Sequence, residues 1–452
     1  MRLALALAAF ALGVRVLAWT GSCTIGSDSF IFLDMARLIG AGEWSSAMRW
    51  AAHPAYPAMT AGLGGSAFAG TLISVVLGAA GIIPLFLLVA EAIGEAEARV
   101  AALLYAVLPA LVEVTADVMT DGVFVAFFVT AIWAGWKALD RWSWAPLAGL
   151  MSGLAYLTRP EGLLLMAMIP AWLVVEAVRR RTWRPLAGGA IVVAVSVVVA
   201  IPYLLWLHWE LQRWTVSLKG GARAVTGGAV QTSHGSLYVD YLKSTWRVAF
   251  GVLVPFTLWG MARTNSRGRW YIASFGLAWF AAMLYAMPYV GYIGSRYLLA
   301  GFVALLGATA IGWIEMTSKL RPAVVRAALL LLVVGLMGVA VRPRRWGELA
   351  LVDAGAWIAQ QKPRAKLVAT SDKIAYYAGG ELVYRRFWEA FPPTFEEFES
   401  GVTTADFIVT TSRDSVPAYL ARLGELRAFE RVPDDFVRGR GRQDAITIYR
   451  RR

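Results

Sequence analysis

A run of apolar blocks, each close to the length of a bilayer crossing, limits what this chain can fold into. The blocks cover roughly 2–20, 69–93, 99–112, 121–139, 145–158, 162–178, 186–208, 246–262, 270–287, 297–315 and 323–341. A crossing helix takes about 17–25 residues. In lipid the backbone N–H and C=O groups must be satisfied within the segment itself, so a series of such blocks reads as a helical bundle. The series stops near residue 341, and half of the 30 acidic residues lie beyond it. The expected fold class is an α-helical polytopic membrane protein of about 11 transmembrane helices with a small C-terminal α/β soluble domain. The expected domains are 1–341 in the membrane and 342–452 outside it.

Composition supports this division. The chain is 58% hydrophobic and 16% charged, against about 45–50% and 25% in soluble domains. Its net charge of +13 does not indicate nucleic acid. The basic residues of the membrane part sit in short loops, and no basic stripe interleaves with stacking aromatics. The single cysteine, Cys23, excludes an intramolecular disulfide and a Cys-rich metal site.

Sidedness follows from the loops. Lys137 to Arg141, Arg179 to Arg184, Arg263 to Arg269 and Lys319 to Arg321 are short and rich in Lys and Arg, which places them in the cytoplasm. The long loops 21–68 and 209–245 and the tail from 342 are then outside, and the N-terminus is cytoplasmic. The acids of the membrane part sort on the same scheme. Asp28, Asp34, Glu43, Glu113, Asp117, Asp121, Glu161, Glu210 and Asp240 fall on the outer side, whereas Glu91, Glu95, Glu97, Asp140, Glu176 and Glu315 fall at cytoplasmic ends. Acids in or near spans are costly and usually face a cavity or a partner, so the outer interface is the expected site. In the tail, 348–361 and 372–378 read as helices, and 366–370, 407–411 and 445–449 as strands.

Several outer residues could carry chemistry. Asp28 stands before the amphipathic stretch Ser29-Phe30-Ile31-Phe32-Leu33-Asp34-Met35-Ala36-Arg37. It is either a helix cap or a half-desolvated base for an acceptor hydroxyl. His53-Pro54-Ala55-Tyr56-Pro57 reads as a rigid turn before the second span, with His53 orienting a substrate or holding a structural hydrogen bond. Asp117 and Asp121 are four apart and share a face if the helix reaches back that far. With Glu113 they could hold a divalent cation, or they could cap the helix and match its dipole. In Leu157-Thr158-Arg159-Pro160-Glu161-Gly162, Pro160 suits the first helical position and Glu161 the helix N-terminus. Arg159, Arg296 beside Tyr297, and Lys219 and Arg223 in the long loop are outer cations. They suit either a lipid-linked phosphate or lipid headgroups, and Arg159 could also pair with an outer acid.

The order of these motifs resembles the dolichyl-phosphate-mannose protein mannosyltransferase family and its bacterial aminoarabinose transferase members. The resemblance spans about residues 1–310 and is most specific at Thr158-Arg159-Pro160-Glu161. It implies the C-type glycosyltransferase fold, a polyprenyl-phosphate-linked sugar donor, and inverting transfer of a hexosyl or pentosyl group. It also implies a base on the first outer loop, where Asp28 matches by position. Ser29 stands where many relatives have a second acid, and Ala55 where proline is common. The expected substrate-binding set is His53, Tyr56, Asp117, Asp121, Arg159, Glu161, Lys219, Arg223, Arg296 and Tyr297. The resemblance further implies a lipid, glycan or protein acceptor at the outer face of a bacterial cytoplasmic membrane. No cofactor is required by the motifs, and a divalent cation at Asp117 and Asp121 stays open. The rival readings are a transporter or flippase of lipid-linked sugars, or an oligosaccharide polymerase or ligase using a diphosphate-linked donor. A transporter would place charges mid-span and an inner-facing counterpart of the site, and the sequence shows neither clearly; nor does it show an internal repeat of the inverted type common in transporters.

Overall fold

The computed structural model describes residues 1–50, 52–218, 234–290, 293–369, 371–382, 402–411, 428–432 and 446–452. The chain forms two compact units. The first comprises Met1–Trp19 and Ile31–Arg342, the second Thr20–Phe30 and Pro343–Arg452.

The first unit is a polytopic helical bundle. Among the described residues, 8 helices are long and apolar enough to cross a membrane: Arg2–Thr20, Ala67–Ala92, Asp121–Ala138, Pro160–Arg180, Arg184–Leu211, Arg267–Met287, Ser295–Thr317 and Pro322–Ala340. The pair Glu95–Val107 and Pro109–Thr115, bent by 54°, is long and apolar enough only when the two are taken together. Pro109 lacks an N–H, and Arg15, wholly buried in the first helix, donates to the Ala106 carbonyl at the bend (3.3 Å). The other two expected spans are helices but short ones. Ala145–Thr158 has 14 residues, about 21 Å at 1.5 Å per residue, less than the roughly 30 Å of the hydrocarbon core. The span expected at 246–262 is interrupted, because Phe250 and Gly251 adopt φ of 51° and 59° and a separate 9-residue helix, Val254–Ala262, follows.

Ser295–Thr317 is the central helix. Its apolar segment is 89% buried, against 17% for Pro322–Ala340, as expected of a helix that is apolar all round and one that faces lipid. The loops read as cytoplasmic converge at one end of the bundle. Arg180 pairs with Asp140 and Glu176. Arg267 lies 3.2 Å from Glu176 and 3.5 Å from Asp140, and Arg263 and Arg269 reach Glu315 at 3.5 and 3.7 Å. Asp121, Arg159 and Ser295 begin or precede the helices that run to Ala138, Arg180 and Thr317. The candidate site residues on these three helices therefore sit roughly 30 Å away, at the opposite end of the bundle.

The second unit is a small α/β assembly. Strands β1 (Lys366–Ala369), β2 (Glu381–Leu382), β3 (Phe407–Thr411), β4 (Phe429–Arg431) and β5 (Ile446–Arg451) form one sheet in the order β2-β1-β3-β5-β4. β1 runs parallel to β2 and β3, whereas β5 runs antiparallel to β3 and β4. Helices Leu349–Gln361 and Asp372–Ala378 cover it. Its core joins Ala354 and Ile358 of the first helix to Leu367, Val409 and Ile448 of the sheet. The unit takes in the segment Thr20–Phe30, where Ser22 bridges Arg344 in parallel fashion.

Candidate active site

The Thr158-Arg159-Pro160-Glu161-Gly162 segment owes its shape to two of its residues. Helix Ala145–Thr158 ends, Arg159 turns extended (φ −151°, ψ 140°), and Pro160–Gly162 forms one 3-10 turn before the next helix begins at Leu163. Pro160 presets that turn. Gly162 folds back against the preceding helix so closely that a Cβ there would sit 2.6 Å from the Ala155 carbonyl carbon and closer still to the Tyr156 nitrogen. We expect Gly162→Ala to push the turn off the helix and destabilise the protein by about 1–3 kcal/mol, the usual cost of forced overpacking. Thermal unfolding of the purified variant beside wild type checks this, and an unchanged Tm would refute it.

That turn places Glu161 against Arg159. The Arg159 guanidinium donates through Nε and Nη2 to the Glu161 carboxylate at 3.3 and 3.2 Å, and through Nη1 to Asp121. It also lies 5.1 Å from the Tyr297 ring centroid and 5.8 Å from that of Phe124. Arg296 approaches the same Tyr297 ring at 5.3 Å. Arg159 is 8% exposed and Asp121 2%. Two carboxylates thus meet one buried guanidinium, and its charge is already engaged.

The other sequence-derived residues fall around this cluster or away from it. Asp117 is not on the helix of Asp121, which begins at Asp121 itself. Asp117 lies in the bend after Pro109–Thr115, and its Oδ1 accepts from its own neighbouring Val118 amide at 2.8 Å. Such a local bond competes with helix formation, which is why the four-residue spacing did not become a shared face. Among the described residues no group of three or more His, Cys, Asp and Glu side chains could hold a metal ion. Asp121 is committed to Arg159 instead.

His53-Pro54-Ala55-Tyr56-Pro57 is not a turn into a span. Pro54 caps a separate short helix, Ala55–Gly62, with Pro57 in its first turn, a position where a missing N–H costs nothing. Tyr56 is fully buried. It stacks edge-on to Phe32 at 5.5 Å and accepts from Ser74 Oγ at 3.2 Å. Burial raises its phenol pKa well above the ordinary value, a shift to which Asp117 and Asp121 add, so the group stays a hydrogen-bond donor. His53, 3% exposed, sits against the rings of Tyr156 and Tyr203 at 5.2 and 4.9 Å. Those two tyrosines escaped the sequence reading, although Tyr156 lies only three residues before Arg159. Asp28 lies in the second unit, half-buried, directly before helix Ser29–Gly40. Lys219 and Arg223 lie outside the described residues.

Beside the turn an apolar groove of about 370 Å³ is lined by Pro160, Leu163, Leu164, Trp279 and Met283, with Glu161 as its charged member.

Residues 56–206 match the family described as dolichyl-phosphate-mannose-protein mannosyltransferase. No curated protein matches the chain by sequence. Among solved structures, apo ArnT from Cupriavidus metallidurans superposes with a TM-score of 0.65 at 14% identity, covering 98% of this chain and 97% of that one. This chain has the C-type glycosyltransferase fold. ArnT bound to undecaprenyl phosphate gives a TM-score of 0.64 at 15% identity, with the same coverage. The oligosaccharyltransferase of Archaeoglobus fulgidus gives 0.64 at 13% identity, covering 90% of this chain and 69% of that one. The mannosyltransferase-like resemblance read from the motifs therefore holds. The matched segment contains His53's neighbour Tyr56, both aspartates, Arg159 and Glu161. In this C-type chain the buried ion cluster is built inside the segment the family match covers.

Proposed function

We propose that this chain is a membrane glycosyltransferase. It moves a hexosyl or pentosyl group from a polyprenyl-phosphate-linked donor to a lipid, glycan or protein acceptor at the outer face of a bacterial cytoplasmic membrane. The observation that carries this reading is the buried Asp121–Arg159–Glu161 cluster opening onto an apolar groove through Glu161. Such charges are expensive in a membrane bundle and persist where they serve a function. A groove lined by Leu163, Leu164, Trp279 and Met283 suits an isoprenoid chain, and polar groups at its mouth suit the sugar. The family match and the fold shared with a structure that binds undecaprenyl phosphate support the same donor class.

In the proposed reaction Asp28 takes the proton of the acceptor hydroxyl. The freed oxygen attacks the anomeric carbon from the face opposite the phosphate, the bond from that carbon to the phosphate oxygen breaks, and polyprenyl phosphate leaves as an anion. Inversion follows from this single displacement. Arg296, with Lys219 and Arg223, meets the charge on the leaving phosphate. Arg159 holds Asp121 and Glu161 in place. With His53, Tyr56, Asp117 and Tyr297, those acids position the sugar and the acceptor.

Mass spectrometry of lipid co-purified with the protein tests the donor class. A polyprenyl monophosphate, free or carrying one sugar, is the expected result. A diphosphate-linked oligosaccharide in its place would overturn it in favour of a ligase or polymerase.

A further inference from the structure

The loop that carries Asp28 is built into the C-terminal unit, and the bonds that hold it are specific. Thr24 Oγ1 donates to Glu348 at 2.6 Å, and the same Glu348 oxygen pairs with Lys373, which is 5% exposed. Arg345 donates to the Thr24 carbonyl at 2.8 Å. The Ile25 amide donates to the Tyr377 hydroxyl at 3.3 Å. The Arg344 amide donates to the Gly21 carbonyl at 3.1 Å, and the Cys23 amide to the Arg344 carbonyl at 3.4 Å. At the far end of the segment the Phe30 ring packs edge-on against Tyr376 at 5.5 Å. The carboxyl of Glu348 is held below its ordinary pKa: burial works against ionisation, but Lys373 and Thr24 outweigh it.

The sheet and its two helices have their own apolar core, to which residues 21–28 contribute no buried side chain. The clamp grips the segment on both sides of Ile25, three residues before Asp28. A base must be held in a narrow geometry to act.

We infer that Thr24, Glu348, Lys373, Arg345 and Tyr377 are positioning residues for Asp28. The inference rests on the reading of Asp28 as the base. For Arg345, Glu348, Lys373 and Tyr377 it assigns a role in chemistry to residues more than three hundred positions away in sequence, outside the segment that matches the family.

The test uses the full-length protein in lipid nanodiscs. Hydrogen exchange is followed in peptides covering 21–30, and turnover is measured with a polyprenyl-monophosphate sugar. Glu348→Gln and Lys373→Met should each speed exchange in that peptide by about ten- to a hundredfold, the worth of one charge-assisted bond. Each should lower kcat by about tenfold or more through lost orientation, with donor KM within about twofold. The double variant should be no worse than the worse single one. Lys373→Arg should restore kcat, and Tyr377→Phe, which deletes only a hydroxyl, should give a weaker effect in the same direction without threatening the fold. Normal kcat in variants with faster exchange, or unchanged exchange in all of them, overturns the positioning role alone. Normal turnover by Asp28→Asn overturns the base assignment and this inference with it.

Discussion

Asp28→Asn is expected to lower kcat by about 10²–10⁴-fold, the contribution of a general base, with donor KM and thermal stability close to those of wild type. The substitution separates the two readings of this residue. Asp28 directly precedes helix Ser29–Gly40, where an aspartate could serve only to cap. Asparagine caps a helix about as well as aspartate, so a capping residue would tolerate the change in both activity and stability. Asparagine keeps the shape and one acceptor oxygen but cannot take a proton at neutral pH, so a base would not. Turnover of a polyprenyl-monophosphate sugar at matched expression is the measurement. Activity within a factor of about two of wild type would remove Asp28 from the chemistry, since a general base contributes far more than that.

The parts of the fold that depend on local composition were legible. Long apolar blocks became crossing helices, the Lys- and Arg-rich loops gathered at one end, and the strands at 366–369, 407–411 and 446–451 lie within a residue or two of where alternation put them. What escaped depends on pairing between distant residues. Asp117 and Asp121 have the spacing of a shared face, yet one peptide N–H captured the first of them. Nothing in Leu157-Thr158-Arg159-Pro160-Glu161 shows that Arg159 will be bound by Asp121 from 38 residues earlier. Nor does residue order show that Thr20–Phe30 joins the C-terminal unit. β2 and β4 escaped because strands of 2 and 3 residues carry too little periodicity to register.

Arg159→Met is the substitution with the largest expected cost to folding. It leaves Asp121 and Glu161, with side chains 3% and 13% exposed, without their shared cation. Breaking a buried ion pair from one side costs about 3–5 kcal/mol, because the abandoned charge keeps its desolvation penalty. Two acids are abandoned here, and they repel each other, so the variant should express poorly and unfold at markedly lower temperature. The triple variant Arg159→Met, Asp121→Asn, Glu161→Gln removes all three charges. It should recover most of that stability, since neutral isosteres replacing a buried ion cluster are often tolerated, yet remain without turnover. The alternative, in which Arg159 chiefly holds the donor phosphate, predicts another pattern. Arg159→Met would then raise donor KM with little loss of stability, and neutralising the acids would rescue nothing. Thermal unfolding and turnover of the single and triple variants, measured side by side, decide between an arginine that organises the carboxylates and one that binds the substrate's charge.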